Sequence, residues 1–204
     1  TIDVTSCADS GSGSLRQIVH DANSLDIVDL SHLTCSQISL TTGAIAITQD
    51  SLTLVGPGAD KLTLYGATVD PTFTVRNVIS HTGLGTLEID DLKMTHGAAT
   101  GRTCGYSHAG GCICSSGNLT LKRSAVTNCK VTGGPSDGVR GGGISAQGNI
   151  LLDHSTVSGN QLLAQGFPYH FGGGVFGAAN IAIRYSDVTG TYAPCHGFCT
   201  TDTS

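Results

Sequence analysis

Apolar and polar residues alternate in short segments along the chain, and these segments recur at a regular spacing. In "NLTLK", for example, Leu119 and Leu121 flank Thr120. A period of two is typical of a β-strand with one buried face. The segments recur in steps of 32, 31 and 31 residues, as their first apolar residues show: Leu87, Leu119, Ile150 and Ile181.

Two further sets of apolar positions share this period. One set is Ile113, Ile144 and Val175, and the other is Met94, Val126, Val157 and Val188. Each repeat therefore contains about three short strands and no helix, which excludes leucine-rich and ankyrin repeats. Stacking equivalent strands about 4.8 Å apart predicts an all-β fold, a right-handed parallel β-helix.

The first part of the chain is less regular but has the same character. Short alternating segments such as "AIAI", "SLTLV" and "KLTLY" lie between turn signals. Before them, Leu15, Ile18, Val19 and Ala22 have helical spacing, and Ser14 with Gln17 forms a capping-box pattern. The sequence predicts one domain over 1–204, with a cap segment (1–25) whose helix near 14–23 covers the first coil, followed by coils over 26–204.

Composition narrows the classes of function. The net charge is −5 and only 12% of residues are charged, so no basic footprint for nucleic acid exists. No run of about 18 apolar residues predicts a membrane span. The chain starts at Thr1 and contains eight cysteines. We therefore expect a trimmed or partial product of a longer protein, with disulfides, from a secreted or cell-surface location.

The cysteines allow 105 pairings, of which we favour four: the repeat alignment suggests one pair between adjacent coils, and the other three would staple the cap, tie one loop and close a short loop near the last residues. These are Cys7 with Cys35, Cys104 with Cys114, Cys112 with Cys129, and Cys195 with Cys199. Zinc is the alternative for the cluster of Cys104, His108, Cys112 and Cys114, but the spacing matches no paired C-x₂-C pattern. We predict disulfides, no metal and no cofactor.

The segments "DSGSGSLRQIVHDAN", "LTLVGPGADKLTLYG" and the Gly-rich repeats resemble secreted bacterial right-handed β-helix repeat proteins of the broad pectate-lyase-like group. The resemblance implies the fold along nearly the whole chain. It implies no single activity, because such repeats occur in polysaccharide lyases, hydrolases, adhesins and surface proteins. The Asn-Thr-Asp motif of the polygalacturonase-type enzymes is absent, so their catalytic roles are not transferred.

Charged residues recur at two neighbouring repeat positions. One position holds Asp90, Lys122, Asp153 and Arg184, and the next holds Asp91, Arg123, His154 and Tyr185. One interpretation is a surface ladder of opposite charges, and the other is a groove for acidic sugars. If the protein is an enzyme, its candidate catalytic residues are Asp90, Asp91, Lys122, Arg123, Asp153 and His154, because glycosidases and lyases use carboxylates and bases.

Variable segments interrupt successive repeats at one place, so they share one side of the solenoid. They contain the candidate binding aromatics Tyr106, Phe167, Tyr169, Phe171, Tyr192 and Phe198. Aromatic side chains stack on sugars and anchor protein interfaces, but they also fill the small cores of loops. Both interpretations remain open.

Together these observations predict a secreted or cell-surface structural and interaction module with an adhesion, surface or filament role, rather than a catalyst. Its partner would be a polysaccharide or another surface protein. The rival is a polysaccharide lyase or glycoside hydrolase acting on an extracellular polysaccharide. We also expect the last strands to be covered, either by the remainder of a longer solenoid or by a second copy stacked end to end.

Overall fold

The computed structural model describes residues 1–66, 77–100, 109–133, 139–164, 172–190 and 195–202, with backbone alone at 164, 190 and 195–202. One helix, α1 (Leu15–Asp21), precedes most of the strands. The strands are β1 (Ile2–Asp3), β2 (Ile27–Asp29), β3 (Gln37–Leu40), β4 (Ile45–Ile47), β5 (Leu52–Val55), β6 (Thr63–Gly66), β7 (Ile79–His81), β8 (Thr86–Asp90), β9 (Lys93–Thr95), β10 (Ala98–Thr100), β11 (Ile113–Ser115), β12 (Asn118–Lys122), β13 (Ala125–Thr127), β14 (Lys130–Gly133), β15 (Ile144–Ala146), β16 (Ile150–Asp153), β17 (Thr156–Ala164), β18 (Val175–Arg184), β19 (Asp187–Gly190) and β20 (Cys195–Asp202).

All pairings between these strands are parallel, and the fold is a β-solenoid, a parallel β-helix, as the sequence predicts. Equivalent strands of successive coils stack into columns. Column 1 contains β1, β2, β5, β8, β12, β16, residues 181–184 of β18 and residues 199–202 of β20. Its register places Leu87, Leu119, Ile150 and Ile181 in line, which confirms the first repeat position read from the sequence.

The remaining strands form three more columns. Column 2 contains β3, β6, β9, β13, residues 156–158 of β17 and β19. Column 3 contains β4, β7, β11, β15, residues 175–177 of β18 and the start of β20. Column 4 is short, with β10, β14 and residues 161–164 of β17. The sequence predicted about three strands in each repeat, and column 4 provides a fourth strand in three of the coils.

The core runs along the inside of the solenoid because each strand points alternate residues inward. Leu87 and Ile89 of β8 and Leu119 and Leu121 of β12 are fully buried. They belong to one continuous cluster that extends from the N-terminal segment to Ile183. A second, smaller cluster lies under column 4 and contains Ala99, Ala109, Val131, Val139 and Leu162.

Helix α1 covers the N-terminal end of this core, as expected. Leu15 and Val19 are buried against it, and the Ser14 hydroxyl accepts a hydrogen bond from the Gln17 amide. The capping box is only half formed, because the Gln17 side chain donates to Asp21 instead of returning to Ser14. Gln49 closes the other end of the helix by donating to the carbonyls of Val19 and Ala22.

A clasp of polar groups holds the cap segment to the first coil. Arg16 pairs with Asp9 at 2.6 Å and donates to the carbonyls of Gly43 and Ala44. Asp9 also accepts hydrogen bonds from Thr41 and Thr42. Burial alone would raise the pKa of Asp9, but the hydrogen bonds from Arg16 and Thr42 hold it below its ordinary value. The clasp therefore keeps this carboxylate charged.

Candidate functional site

The charged positions predicted from the sequence lie together on the outer side of column 1. Asp90, Lys122, Asp153 and Arg184 are in register on successive strands. We call these four residues, with Glu88, Asp91, Arg123, His154 and Tyr185 beside them, the charged strip. The strip exists because inward leucines and isoleucines force the intervening residues outward.

The second position of the strip lies at a sharp corner where column 1 ends. Asp91, Arg123, His154 and Tyr185 all have left-handed backbones, with φ between 45° and 57°. A serine follows three of these corners and stabilises the turn. Ser124 Oγ donates to the Lys122 carbonyl and accepts from the Leu92 amide, and Ser155 and Ser186 repeat this pattern one coil at a time. The corner side chains are thereby held outward in a row.

Two cations of the strip, Lys122 and Arg123, are paired with carboxylates of the preceding coil. Lys122 Nζ lies 2.6 Å from Glu88 Oε1, although Asp90 is its partner in the strand register. Arg123 binds Asp91 through Nε and a terminal nitrogen, the latter at 2.7 Å from Oδ2. Glu88 was not among the catalytic candidates named from the sequence, because its repeat position holds Thr120 and Leu151 in the next coils.

Asp90 is the carboxylate of the strip with the poorest partners. Its side chain is 15% exposed, and Arg123 is 3.6 Å from Oδ2. Its Oδ1 is buried and has no hydrogen-bond partner within the described part of the chain. Burial, followed by the nearby charge of Glu88, raises the pKa of Asp90 above its ordinary value despite Lys122 and Arg123. A raised carboxyl pKa is the property that a general acid requires.

His154 and Tyr185 complete the strip. The His154 ring stacks on Tyr185 with centroids 4.7 Å apart, and its Nδ1 lies 2.8 Å from Asp153 Oδ1. Both rings are largely exposed. The structure thus brings together all six catalytic candidates named from the sequence, with Lys122 and Arg123 already paired to carboxylates and Asp90 poorly partnered. Whether they catalyse a reaction stays a prediction.

A second feature, missed in the sequence, is a groove of about 230 Å³ where columns 2 and 4 meet. We call it the corner groove. One wall contains His96, Asn128 and Gly159, which all have left-handed backbones, and the other contains Ala98, Lys130 and Gln161. Buried Gly97 and Cys129 form its floor. The signal that could have revealed it is the recurrence of His, Asn and Gly at one repeat position.

The cysteines confirm two predicted pairings. One disulfide joins Cys7 of the cap segment to Cys35 in the first coil, and the other joins Cys112 to Cys129 between coils. Cys114 is also disulfide-bonded. The zinc alternative therefore loses Cys112 and Cys114 as thiolate ligands. Cys104 and the side chains of Cys195 and Cys199 lie outside the described residues.

The candidate binding aromatics cannot be placed in the same way. Tyr106, Phe167, Tyr169, Phe171 and Tyr192 lie outside the described residues, as does the side chain of Phe198. The residues that flank three of the variable segments are described. Segments 101–108, 134–138 and 165–171 all leave from column 4, and the chain then re-enters column 3. This confirms that their points of attachment share one side.

Within the described ranges, no helix has the length and apolar character needed to cross a membrane. No group of three or more His, Cys, Asp or Glu side chains is arranged to hold a metal ion in those ranges. Comparison of the chain with protein-family models, with curated proteins and with solved structures gave no match.

Proposed function

We propose that this chain is an extracellular structural and interaction module that binds a polysaccharide or another surface protein through its loop-bearing side. The main support is that three successive coils attach their variable segments to the same column. In repeat proteins, insertions on one face commonly form the binding face. The disulfides agree with an oxidising compartment.

Column 4, to which three of the variable segments attach, supports this proposal because it packs on a small hydrophobic core of its own. Ala99, Val131 and Leu162 point inward from its three strands and are buried with Ala109 and Val139. A separate packed layer beneath the attachment points stabilises them independently of sequence changes in the loops. This arrangement allows the variable segments to differ from coil to coil.

The test is retention of the chain on immobilised polysaccharides, uronate-rich and neutral, and on purified cell-surface proteins. One variant replaces residues 165–171 by Gly and Ser at equal length, and the matched control is Arg123→Ala on the charged strip. We expect retention by the wild type and by Arg123→Ala, with loss in the loop variant. Retention that survives the loop replacement, or no retention on any matrix, would refute the proposal.

The charged strip carries the rival proposal, a polysaccharide lyase or glycoside hydrolase. One observation favours it: Asp90 has a raised pKa and a buried carboxylate oxygen without a hydrogen-bond partner in the described residues. Asp90 could then protonate a leaving group while Asp153 or His154 supplies a base.

Release of reducing ends or unsaturated products from the same polysaccharides separates the two proposals. The interaction module predicts binding without product release. Product release that Asp90→Ala abolishes, with binding retained, would establish the enzyme instead.

A further inference from the structure

We propose that the corner groove is a binding site for a small ligand that carries an oxyanion and at least one neighbouring hydroxyl group. The oxyanion is a carboxylate, sulfate or phosphate held by Lys130, and the hydroxyl groups contact His96, Asn128 and Gln161. The inference deepens the proposed function and rests on it only for the biological source of the ligand.

The first argument is the charge of the groove. The chain has a net charge of −5, yet none of the described residues that line the groove is acidic. Lys130 is exposed there and has no ion pair with any described residue. By contrast, Lys122 and Arg123 of the charged strip each bind a carboxylate. An ammonium group without an ion pair, in a concave site whose described lining has no carboxylate, favours an anionic ligand.

The second argument is the tautomer of the neutral His96 ring. Thr95 Oγ1 donates its only proton to the Thr127 carbonyl at 2.7 Å. It must therefore accept the hydrogen bond that joins it to His96 Nδ1 at 2.8 Å, so Nδ1 carries a proton. In the neutral ring, Nε2 is then an acceptor without a partner among the described residues. It can accept a hydrogen bond from a ligand hydroxyl group.

The third argument is that the walls are fixed while their polar ends are unused. His96 stacks on Tyr65 with centroids 4.6 Å apart, which holds the ring in place. The backbone of the floor is satisfied between coils, since Lys130 N donates to Gly97 O and Gln161 N donates to Cys129 O. The amide groups of Asn128 and Gln161 have no intramolecular partner in the described part of the chain. They can donate to and accept from hydroxyl groups.

The volume limits the ligand to roughly one sugar-sized unit. Sites for drug-sized ligands occupy about 300–1,000 Å³, and this groove has about 230 Å³. Gly159 keeps the groove open because it has no side chain. A Cβ added there would lie 2.6 Å from Asn128 Oδ1, and the next nearest atom is at 3.6 Å. Only a flexible side chain would have to move.

The experiment is titration of the full chain by NMR with four probes: D-glucuronate, D-glucose 6-sulfate, D-glucose and inorganic phosphate. We expect the two acidic sugars to bind with a Kd on the order of 1 mM, as suits small ligands, and D-glucose and phosphate at least about tenfold more weakly. Comparing D-glucuronate with D-glucose 6-sulfate shows whether the groove prefers a carboxylate or a sulfate group. Phosphate binding as tight as that of the sugars would overturn the role of the hydroxyl groups.

Three variants assign the site. Lys130→Ala should raise the Kd for the acidic sugars at least about tenfold, because a charge-assisted contact is lost. The matched control is Lys61→Ala, which removes an exposed lysine outside the groove and should leave Kd unchanged. Gly159→Asn should block the groove without unfolding the chain, because asparagine tolerates the left-handed backbone at φ 64°. Amide spectra report the fold of each variant.

No binding of any probe by the folded wild type, or equal binding by Lys130→Ala, would refute this inference. Neither result would affect the proposed function, whose test is retention on polymers or proteins through the loop segments. Conversely, groove binding can be present in a chain that fails the retention test.

Discussion

Removal of the Cys112–Cys129 disulfide should weaken both the fold and the corner groove. The two cysteines are fully buried and belong to the main core, and Cys112 Sγ accepts a hydrogen bond from the Gly97 amide. Gly97 and Cys129 form the floor of the corner groove. The perturbation is the double variant Cys112→Ala, Cys129→Ala, which breaks the link between these positions.

The magnitude follows from the loop that the disulfide closes. Its sequence separation is 17 residues. In the chain-entropy model, a loop of this length lowers the free energy of the folded state relative to the unfolded chain by about 3 kcal/mol. With a urea dependence of about 2–3 kcal/mol per M, the unfolding midpoint should fall by about 1 M or slightly more.

The assay is urea unfolding followed by circular dichroism, with the double variant Cys7→Ala, Cys35→Ala as the matched control. That disulfide spans 28 residues, so the same model assigns it a similar stabilisation of about 3–4 kcal/mol. It links the cap segment to the first coil, and neither cysteine lines the groove. We expect both variants to lose stability and only the first to lose affinity for D-glucuronate.

Two results would refute this reasoning. An unchanged urea midpoint in the Cys112 and Cys129 variant would show that the crosslink does not constrain the unfolded chain. Equal losses of ligand affinity in both double variants would show that the groove responds to overall stability and not to its own floor.

Three further predictions concern stability. Leu121→Ala should lower the free energy of unfolding by about 2–5 kcal/mol because Leu121 is fully buried, whereas Thr120→Ala on the outer face should change it by less than about 0.5 kcal/mol. Urea midpoints of the two variants test this difference, and equal effects would contradict the inward orientation of Leu121. Burial lowers the pKa of His81 below its ordinary 6.5, so folding opposes its protonation. The free energy of unfolding should therefore fall as the pH drops below 6.5, by up to about 1.4 kcal/mol per pH unit. The variant His81→Gln should show a smaller pH dependence in urea unfolding curves recorded from pH 7 to pH 5. Burial raises the pKa of Asp90 above its ordinary 3.8, so the ionised carboxylate destabilises the folded state. The free energy of unfolding therefore decreases as the pH rises from 3.8 towards the pKa of the folded state. Asp90→Asn should raise the urea midpoint at pH 7 but not at pH 3, and a lower midpoint at pH 7 would contradict the argument.

The sequence alone was sufficient to predict a parallel β-solenoid and the three main strand columns, but not column 4. Leu119, Ile150 and Ile181 recur at a constant step, and their alternation with polar residues specifies both a strand and its inward face. A repeated local pattern determines register because a slip of one residue would expose every inward side chain of the coil. The same alignment placed Cys112 and Cys129 on adjacent coils, where they are bonded.

The paired contacts across coils could not be derived in this way. Lys122 binds Glu88, which belongs to a repeat position with no consistent charge. His81 is fully buried between Ser115 and the carbonyls of Gln49 and Asp50, although nothing in its own segment distinguishes it from an exposed histidine. Such contacts depend on groups that are 31 to 34 residues apart in the chain.

The corner groove shows most clearly which features the sequence determines and which only the tertiary structure reveals. The sequence contains His96, Asn128 and Gly159 at one repeat position, and their residue types alone indicate a turn. Only the tertiary structure shows that all three are left-handed and that column 4 follows them. The strand pattern is local and repeated, so it can be read from the sequence, whereas the groove is formed by residues of three successive coils that only the stacking of the coils brings together.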